Sequence, residues 1–312
     1  MMPLRKSLVL LSAAALAVSG CVSAVAPPDI SPRPEERVEA PQQSPESLAL
    51  ARYYQGIEVR LTQDGLLRTD SGQRDAPFSA ATLAANFERI ALYDEYALIG
   101  GRFVQQQTPA RLRRWEQPVR IQPHFGRLVD PAQQAEDRAI LTTYATRLAR
   151  ATGHPVSTVR TGGNFHVLYL GRDDLREVGD LVRSLVPGIG AEVVAEIENL
   201  PRSTFCSVYA FSEAGGRSVY VAAIAIIRDE HPPLLRRSCV HEEVAQGLGL
   251  PNDSPAARPS IFNDDEEFAL LTRHDELLLQ MLYDPRLSPG LRPEEARPTL
   301  RQIAQELVGG SS

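Results

Sequence analysis

Residues 239–253 of the chain read CVHEEVAQGLGLPND. Within this stretch the apolar residues Val244 and Leu248 are four positions apart, which predicts one buried face of a helix. The stretch also contains a His-Glu pair, starting at His241, of the kind that opens the zinc-binding motif H-E-x-x-H. Read from that histidine, the second histidine position holds Ala245, which cannot bind a metal. We therefore expect His241 to pack or to hydrogen-bond rather than to be a metal ligand.

A frame that starts one residue later fits a longer motif. The positions of H-E-x-x-H-x-x-G-x-x-H are then occupied by Glu242, Glu243, Gln246, Gly249 and Asn252. In this frame the chain resembles the metzincin peptidases, in particular the matrixin branch. In those enzymes the helix that bears two zinc ligands breaks at a glycine, and the chain turns back to supply a third ligand.

Two downstream segments extend the resemblance. Residues 260–263 fall where metzincins place their methionine turn, and Phe262 stands where the methionine would be expected. Residues 272–283 resemble the closing helix of those enzymes. The resemblance therefore implies a zincin-like or metzincin-like fold.

The three histidine ligand positions are replaced in this chain, by Glu242, Gln246 and Asn252. Zinc favours imidazole and thiolate, whereas neutral amide oxygens are poor ligands, and calcium sites usually need several charged oxygens. We therefore expect no metal and no other cofactor, with Zn²⁺ and Ca²⁺ as the alternatives. The candidate catalytic residues are Glu243, at the position of the general base, and His274. The alternative interpretation of this helix is a solvated polar face with an apolar side in the core.

The remaining periodicity predicts an α/β (α+β) fold with a mixed β-sheet, one antiparallel edge hairpin and packed helices. Strand patterns alternate with helix patterns before a final hairpin and helix. The predicted elements are a helix capped by Ser79, a strand at 119–121, a helix from Asp130 to Gly153, a strand at 164–170, a helix capped by Asp173, a short helix at 191–199, a hairpin of 205–211 with 219–227, and a helix at 234–250.

These elements predict a single domain over residues 49–292, whose N-terminal helical part covers about 75–112. A C-terminal helix or tail follows over residues 293–312. The predicted domain contains no glycine-rich phosphate-binding motif, which argues against a nucleotide-binding fold.

The N-terminus has the three parts of a bacterial secretory signal over residues 1–20: basic Arg5 and Lys6, a short apolar run, and small residues before Cys21. A cysteine at this point resembles the lipobox of bacterial lipoproteins, which implies acylation of Cys21 and a lipid anchor. The alternative is an ordinary secretory peptide with an incidental cysteine. Residues 21–48 are rich in proline and lack apolar periodicity, which predicts an extended tether.

These features predict a chain that is anchored to a lipid membrane through acylated Cys21 and faces the periplasm. Val22 is not acidic, which in the lipoprotein pattern suggests the outer membrane. The net charge of −6 (33 basic minus 39 acidic) becomes −8 (31 minus 39) without the signal peptide, so we expect no nucleic-acid partner.

Cys206 and Cys239 are the two other cysteines of the chain. Because disulfides persist outside the cytosol, we predict that these two residues are bridged. The alternative, a catalytic Cys206 that works with a histidine, requires a reduced and activated thiolate.

The chain also resembles, over roughly residues 75–292, a family of secreted bacterial lipoproteins known only as a domain of unknown function. The segments that carry this resemblance are 115–121, 242–253, 259–264 and 282–287. We expect a degenerate metallopeptidase-like domain that binds an envelope protein or peptide, or acts in envelope assembly. The alternative is an active hydrolase with Glu243 as general base, and with a metal on unusual oxygen ligands or no metal at all.

Overall fold

The computed structural model describes residues 42–72, 74–99, 102–213, 215–263 and 265–309. The predicted signal peptide, Cys21 and most of the predicted tether lie outside these residues. The described helices are α1 (Pro45–Gln63), α2 (Ala80–Ala91), α3 (Pro131–Thr152), α4 (Arg172–Leu175), α5 (Gly179–Leu185), α6 (Ala191–Glu198), α7 (Pro233–Gln246), α8 (Arg273–Leu282) and α9 (Pro293–Gly309). The described strands are β1 (Tyr93–Ile99), β2 (Arg102–Pro109), β3 (Arg114–Trp115), β4 (Val119–Phe125), β5 (Val156–Thr158), β6 (Phe165–Leu170), β7 (Cys206–Ser212) and β8 (Val219–Arg228).

The main sheet has the order β5, β4, β6, β8, β7, and β3 pairs with the start of β8. All its pairings are parallel except that of β7 with β8, which is antiparallel. The register aligns Ile121 with Phe165, and Phe165 with Ala223. The predicted mixed sheet with one antiparallel edge hairpin is therefore confirmed.

The sheet separates two hydrophobic cores. Alternate residues of β6, such as Phe165 and Val167, join a core with α2, α3, α7, α8 and α9. The residues of β6 that point to the other face, such as Leu168 and Leu170, join a second core with α4, α5 and α6. Helices thus cover both faces, as expected for a sheet of mainly parallel strands.

Helix α3 begins and ends where its sequence predicts. The Asp130 carboxylate accepts a hydrogen bond from the Ala132 backbone N–H at 2.7 Å, and a proline follows at the first helical position. The helix ends at Gly153, which has a φ of 67°.

The helix predicted from Asp173 is instead two short helices, α4 and α5. The Asp173 carboxylate does not cap the helix but accepts a hydrogen bond from the Ser44 backbone N–H, at 2.9 Å. Gly171 is the N-terminal cap of α4, and α5 starts at Gly179. The break between these two helices could not be predicted from the sequence, because the helical spacing of apolar residues continues across it.

Two other segments differ from the expected organisation. Helix α1 begins at Pro45, because Ser44 caps it, so the helix starts within the segment 21–48 that was predicted as tether. The segment predicted as helical over about 75–112 contains α2 but also the antiparallel pair β1 and β2.

Contacts at both ends of the described chain join it to the rest of the fold. The Ser47 hydroxyl donates to the Glu230 carboxylate at 2.7 Å, and the Tyr54 hydroxyl donates to the Arg202 carbonyl at 3.0 Å. Helix α9 packs on α2 and α8. The described residues belong to one compact unit, Pro41–Ser312. Among them, no helix combines the length and hydropathy that a membrane crossing requires.

Candidate functional site

Helix α7 follows β8 directly and carries the site predicted from the sequence. The Glu58 carboxylate of α1 accepts a hydrogen bond from the Leu235 backbone N–H at 2.8 Å, in the first turn of α7, where such groups lack intrahelical partners. The other end is fixed by the Trp115 indole N–H, which donates to the Gly247 carbonyl at 2.8 Å.

Helix α7 ends at Gln246, and the chain then turns at Gly249. Gly249 has a φ of 130°, and a Cβ at this position would collide with the Arg113 carbonyl oxygen. A side chain is therefore excluded at Gly249 by both backbone conformation and space. This turn directs Asn252 back toward the body of the domain.

Glu243 lies almost completely buried, with 4% of its surface exposed. Its Oε2 atom has no hydrogen-bond partner among the described residues. Burial raises the pKa of the Glu243 carboxyl well above its usual value of 4.5, and the nearby negative charge of Asp253 raises it further. The protonated carboxyl is thereby favoured, whereas a general base must be ionised.

Glu242 and Glu243 lie beside the edge strand β7. A carboxylate oxygen of each residue and the Cys206 Sγ atom all lie within 4.8 Å of one another. The Cys206 sulfur is bonded to Cys239 of α7, which confirms the predicted disulfide. A sulfur in a disulfide is not a thiolate, so Cys206 is not a metal ligand in this state.

The other two predicted ligand positions hydrogen-bond to separate protein groups. The Gln246 amide donates to the Asp253 carboxylate at 3.2 Å. The Asn252 amide, 1% exposed, donates to the Arg89 carbonyl of α2 at 2.9 Å. Because amides are poor zinc ligands and these two are engaged with different partners, the residues present at the metzincin-like positions do not fit a zinc ion.

The segment around Phe262 supports the loop that follows α7. Phe262 is completely buried, and its carbonyl accepts a hydrogen bond from the Ser254 backbone N–H at 2.9 Å. The Asp275 carboxylate accepts hydrogen bonds from the Ser260 hydroxyl and the Ile261 backbone N–H, which ties the segment to α8.

His274 lies in the core between α8 and α2. It is completely buried, its Nε2 atom lies 3.1 Å from the Asn86 amide nitrogen, and its ring packs edge-on against Phe78. The Asp275 carboxylate lies 3.7 Å from Nδ1. None of these polar or ring contacts of His274 involves Glu243.

His241 packs and hydrogen-bonds, as predicted. Its Nδ1 atom accepts a hydrogen bond from the Leu271 backbone N–H at 3.0 Å, and its ring stacks on Tyr144 with centroids 4.0 Å apart. Burial lowers the pKa of His241 to about 3, so the ring is neutral at physiological pH.

Two features of the structure were not predicted from the sequence. One is the position of Cys206 beside the two glutamates, although the predicted bridge to Cys239 implied proximity to helix α7. The other is a histidine pair on the opposite face of the sheet, where His124 Nε2 lies 3.1 Å from His166 Nδ1. The sequence contains no signal for this pair, because the contact depends on the pairing of β4 with β6, in which Gln122 is the partner of His166 and His124 lies two positions further along β4.

The comparison with protein families gave one match, to a family described as "Protein of unknown function (DUF2927)", over residues 80–302. The chain belongs to this family. The DUF2927 match covers α7 and its following turn, the Phe262 segment and α8, so the candidate site lies within the family's domain. Neither the curated proteins nor the solved structures gave a match.

Proposed function

We propose that this DUF2927 chain is a lipoprotein, tethered through acylated Cys21 and facing the periplasm at the outer membrane, whose degenerate metallopeptidase-like domain binds an envelope protein or peptide. The observation that carries the proposal is the Asn252 amide, which is buried and bonded to the Arg89 carbonyl. In a metzincin this position would supply a zinc ligand. In this chain its side chain instead joins the loop after α7 to helix α2.

Several features support a metallopeptidase-like ancestry for the domain. The sheet has one antiparallel edge strand, β7, and the helix that carries Glu243 directly follows its neighbour β8. The chain then turns at Gly249, passes the buried Phe262 segment and ends in the closing helix α8. This order of elements agrees with the metzincin-like motif predicted from residues 242–253.

Strand β7 is the binding surface we propose. Among the described residues it pairs with β8 alone, so its other edge presents backbone N–H and C=O groups that an extended peptide can pair with. Residues Cys206–Phe211 are half-buried, so part of their surface is exposed. The carboxyl groups of Glu242 and Glu243 lie next to the start of this strand, so a peptide that paired with β7 would pass beside them.

Metal analysis separates this proposal from the hydrolase alternative. The full-length chain, purified in detergent without chelator, is analysed by mass spectrometry beside its Glu242→Ala variant. We expect no stoichiometric metal in either sample. Stoichiometric metal that is lost in Glu242→Ala would contradict the proposal and favour a metal-dependent hydrolase with Glu243 as base.

Restoring the histidines tests the metallopeptidase-like geometry itself. A variant with Glu242→His, Gln246→His and Asn252→His is compared with one that carries only the first two substitutions. If the backbone has metzincin-like geometry, the triple variant should bind zinc at least about tenfold more tightly than the double variant, because a third imidazole completes the ligand set. Equal binding by two folded variants would contradict the geometry.

Photo-crosslinking in cells tests the binding surface. A photoreactive amino acid is placed at Ser212, the exposed end of β7, and in a matched control at the exposed Val59 of α1. We expect a defined envelope-protein adduct from position 212 that is absent from position 59. The same adducts from both positions, or none from position 212, would contradict the proposed surface.

A further inference from the structure

A second ligand set combines two of the metzincin-like positions, Glu242 and Glu243, with Cys206. Cys206 Sγ and carboxylate oxygens of Glu242 and Glu243 lie within 4.8 Å of one another. Ligands at about 2.0–2.3 Å from a tetrahedral zinc lie about 3.3–3.8 Å apart. Side-chain movements of about 1 Å would therefore bring these three groups onto one ion.

The burial and the unpaired oxygen of Glu243 are independent evidence for a ligand at this position. Its side chain is 4% exposed, and its Oε2 atom has no hydrogen-bond partner among the described residues. A buried polar atom without a partner is costly, and a cation that binds there would satisfy it. The packing of α7 holds the Glu243 carboxyl group beside the sulfur and the second carboxylate.

In the oxidised protein the disulfide prevents this set from binding a metal, since the Cys206 sulfur is bonded to Cys239. The two sulfurs are in different surroundings. Cys206 is half-buried, whereas Cys239 is 2% exposed and its Sγ atom lies 3.7 Å from His231 Nδ1. After reduction, the Cys239 thiol has His231 as a hydrogen-bond partner, and the Cys206 sulfur faces the glutamates.

We propose that reduction of the Cys206–Cys239 disulfide opens a binding site for a divalent transition-metal ion such as Zn²⁺, with Cys206, Glu242 and Glu243 as ligands. A dithiol reductant supplies the two electrons. Its first thiolate attacks Cys206 Sγ and releases Cys239 as thiolate, its second thiol displaces Cys206, and the reductant leaves as a disulfide. The thiol proton of Cys206 and the carboxyl proton of Glu243 are both released when these two groups bind the ion.

This inference stands apart from the proposed peptide-binding function. It concerns the reduced protein, whereas the metal analysis above concerns the oxidised protein, which we expect to be metal-free. A failure of the metal site therefore leaves peptide binding at β7 untouched, and the converse holds as well.

The two cysteines offer a matched pair of variants that needs no reductant. Cys239→Ser leaves Cys206 as a free thiol beside the glutamates, whereas Cys206→Ser removes the ligand and leaves Cys239 free. The full-length variants are titrated with Co²⁺, whose bond to a thiolate gives a charge-transfer band in the near ultraviolet. Circular dichroism confirms that each variant is folded.

We expect Cys239→Ser to bind one equivalent of Co²⁺ with the thiolate band, and Cys206→Ser to bind it at least about tenfold more weakly and without the band. Adding Glu243→Gln to Cys239→Ser should weaken binding by a similar factor. Equal binding by the two cysteine variants, or no band from folded Cys239→Ser, would overturn the proposal.

The wild-type chain provides a second measurement in case a cysteine variant does not fold. Treatment with a phosphine reductant should produce the same Co²⁺ band, and reoxidation should expel the ion. If the reduced wild-type chain unfolds, the proposal is also overturned, because no folded thiol form then exists to hold a metal.

Discussion

The Asn252 amide donates a hydrogen bond to the backbone carbonyl of Arg89, and the two residues are 163 positions apart in the chain. Arg89 lies in the last turn of α2, where carbonyl groups lack partners within the helix. Asn252 therefore caps α2 from the loop that follows α7. This contact joins the beginning of the DUF2927 domain to its candidate site.

Removal of this cap should destabilise the domain. Asn252→Ala leaves the partly buried Arg89 carbonyl without its donor, so we expect the free energy of unfolding to fall by about 1–3 kcal/mol in urea denaturation. The matched control is Asn199→Ala, whose amide donates to the Ala195 carbonyl on the exposed side of α6. The control should lose less than about 1 kcal/mol, and equal losses would contradict a special role for the buried cap.

The buried Glu243 should make the folded protein less stable as the pH rises. Its pKa is raised in the folded state, so above about pH 4.5 the unfolded chain loses this proton while the folded chain keeps it. Stability should therefore fall by about 1.4 kcal/mol per pH unit until the folded carboxyl also ionises. Glu243→Gln removes this slope and should raise the melting temperature at pH 7.

Thermal unfolding between pH 5 and 8 measures this effect. The control is Glu136→Gln, because Glu136 is an exposed glutamate of α3. Its pH profile should match that of the wild-type chain. A wild-type slope that persists in Glu243→Gln would show that another group causes it.

His241 should make the fold sensitive to acid. Its pKa is lowered to about 3 by burial, from an ordinary value of 6.5, so between these pH values the unfolded chain binds a proton that the folded chain does not. Stability from this group is present above pH 6.5 and falls as the pH drops. At pH 5 the loss should be about 2 kcal/mol.

His241→Asn tests the assignment, since the asparagine oxygen retains an acceptor for the Leu271 N–H and does not titrate. Denaturation at pH 5 and pH 7 should show a smaller difference for this variant than for wild type. His231 is also buried with a lowered pKa, so part of the acid sensitivity should remain. An unchanged difference in His241→Asn would contradict the assignment.

Much of the fold follows from local sequence signals, whereas the contacts of the site do not. Helix α3 was predicted from Asp130 and Gly153, and the β7–β8 hairpin from its apolar runs. The β1–β2 pair was missed, although Gly100-Gly101 is typical of a hairpin turn. The spacing of Gln246 and Asn252 gives their place on a helix and a turn, but not the distant groups that they bind. Those partners depend on long-range packing.

The lipid anchor is the prediction that decides where this domain acts. Cys21→Ser removes the residue that we propose to be acylated, and each buried methylene of an acyl chain contributes about 0.8 kcal/mol to membrane binding. We therefore expect nearly all of the variant in the soluble periplasmic fraction, while the wild-type chain stays in carbonate-washed membranes. The control is Val22→Asp, which keeps the cysteine and should stay membrane-bound but shift toward the inner-membrane fraction. If Cys21→Ser remained in washed membranes, a different anchor would hold the chain, and the proposed tether would be wrong.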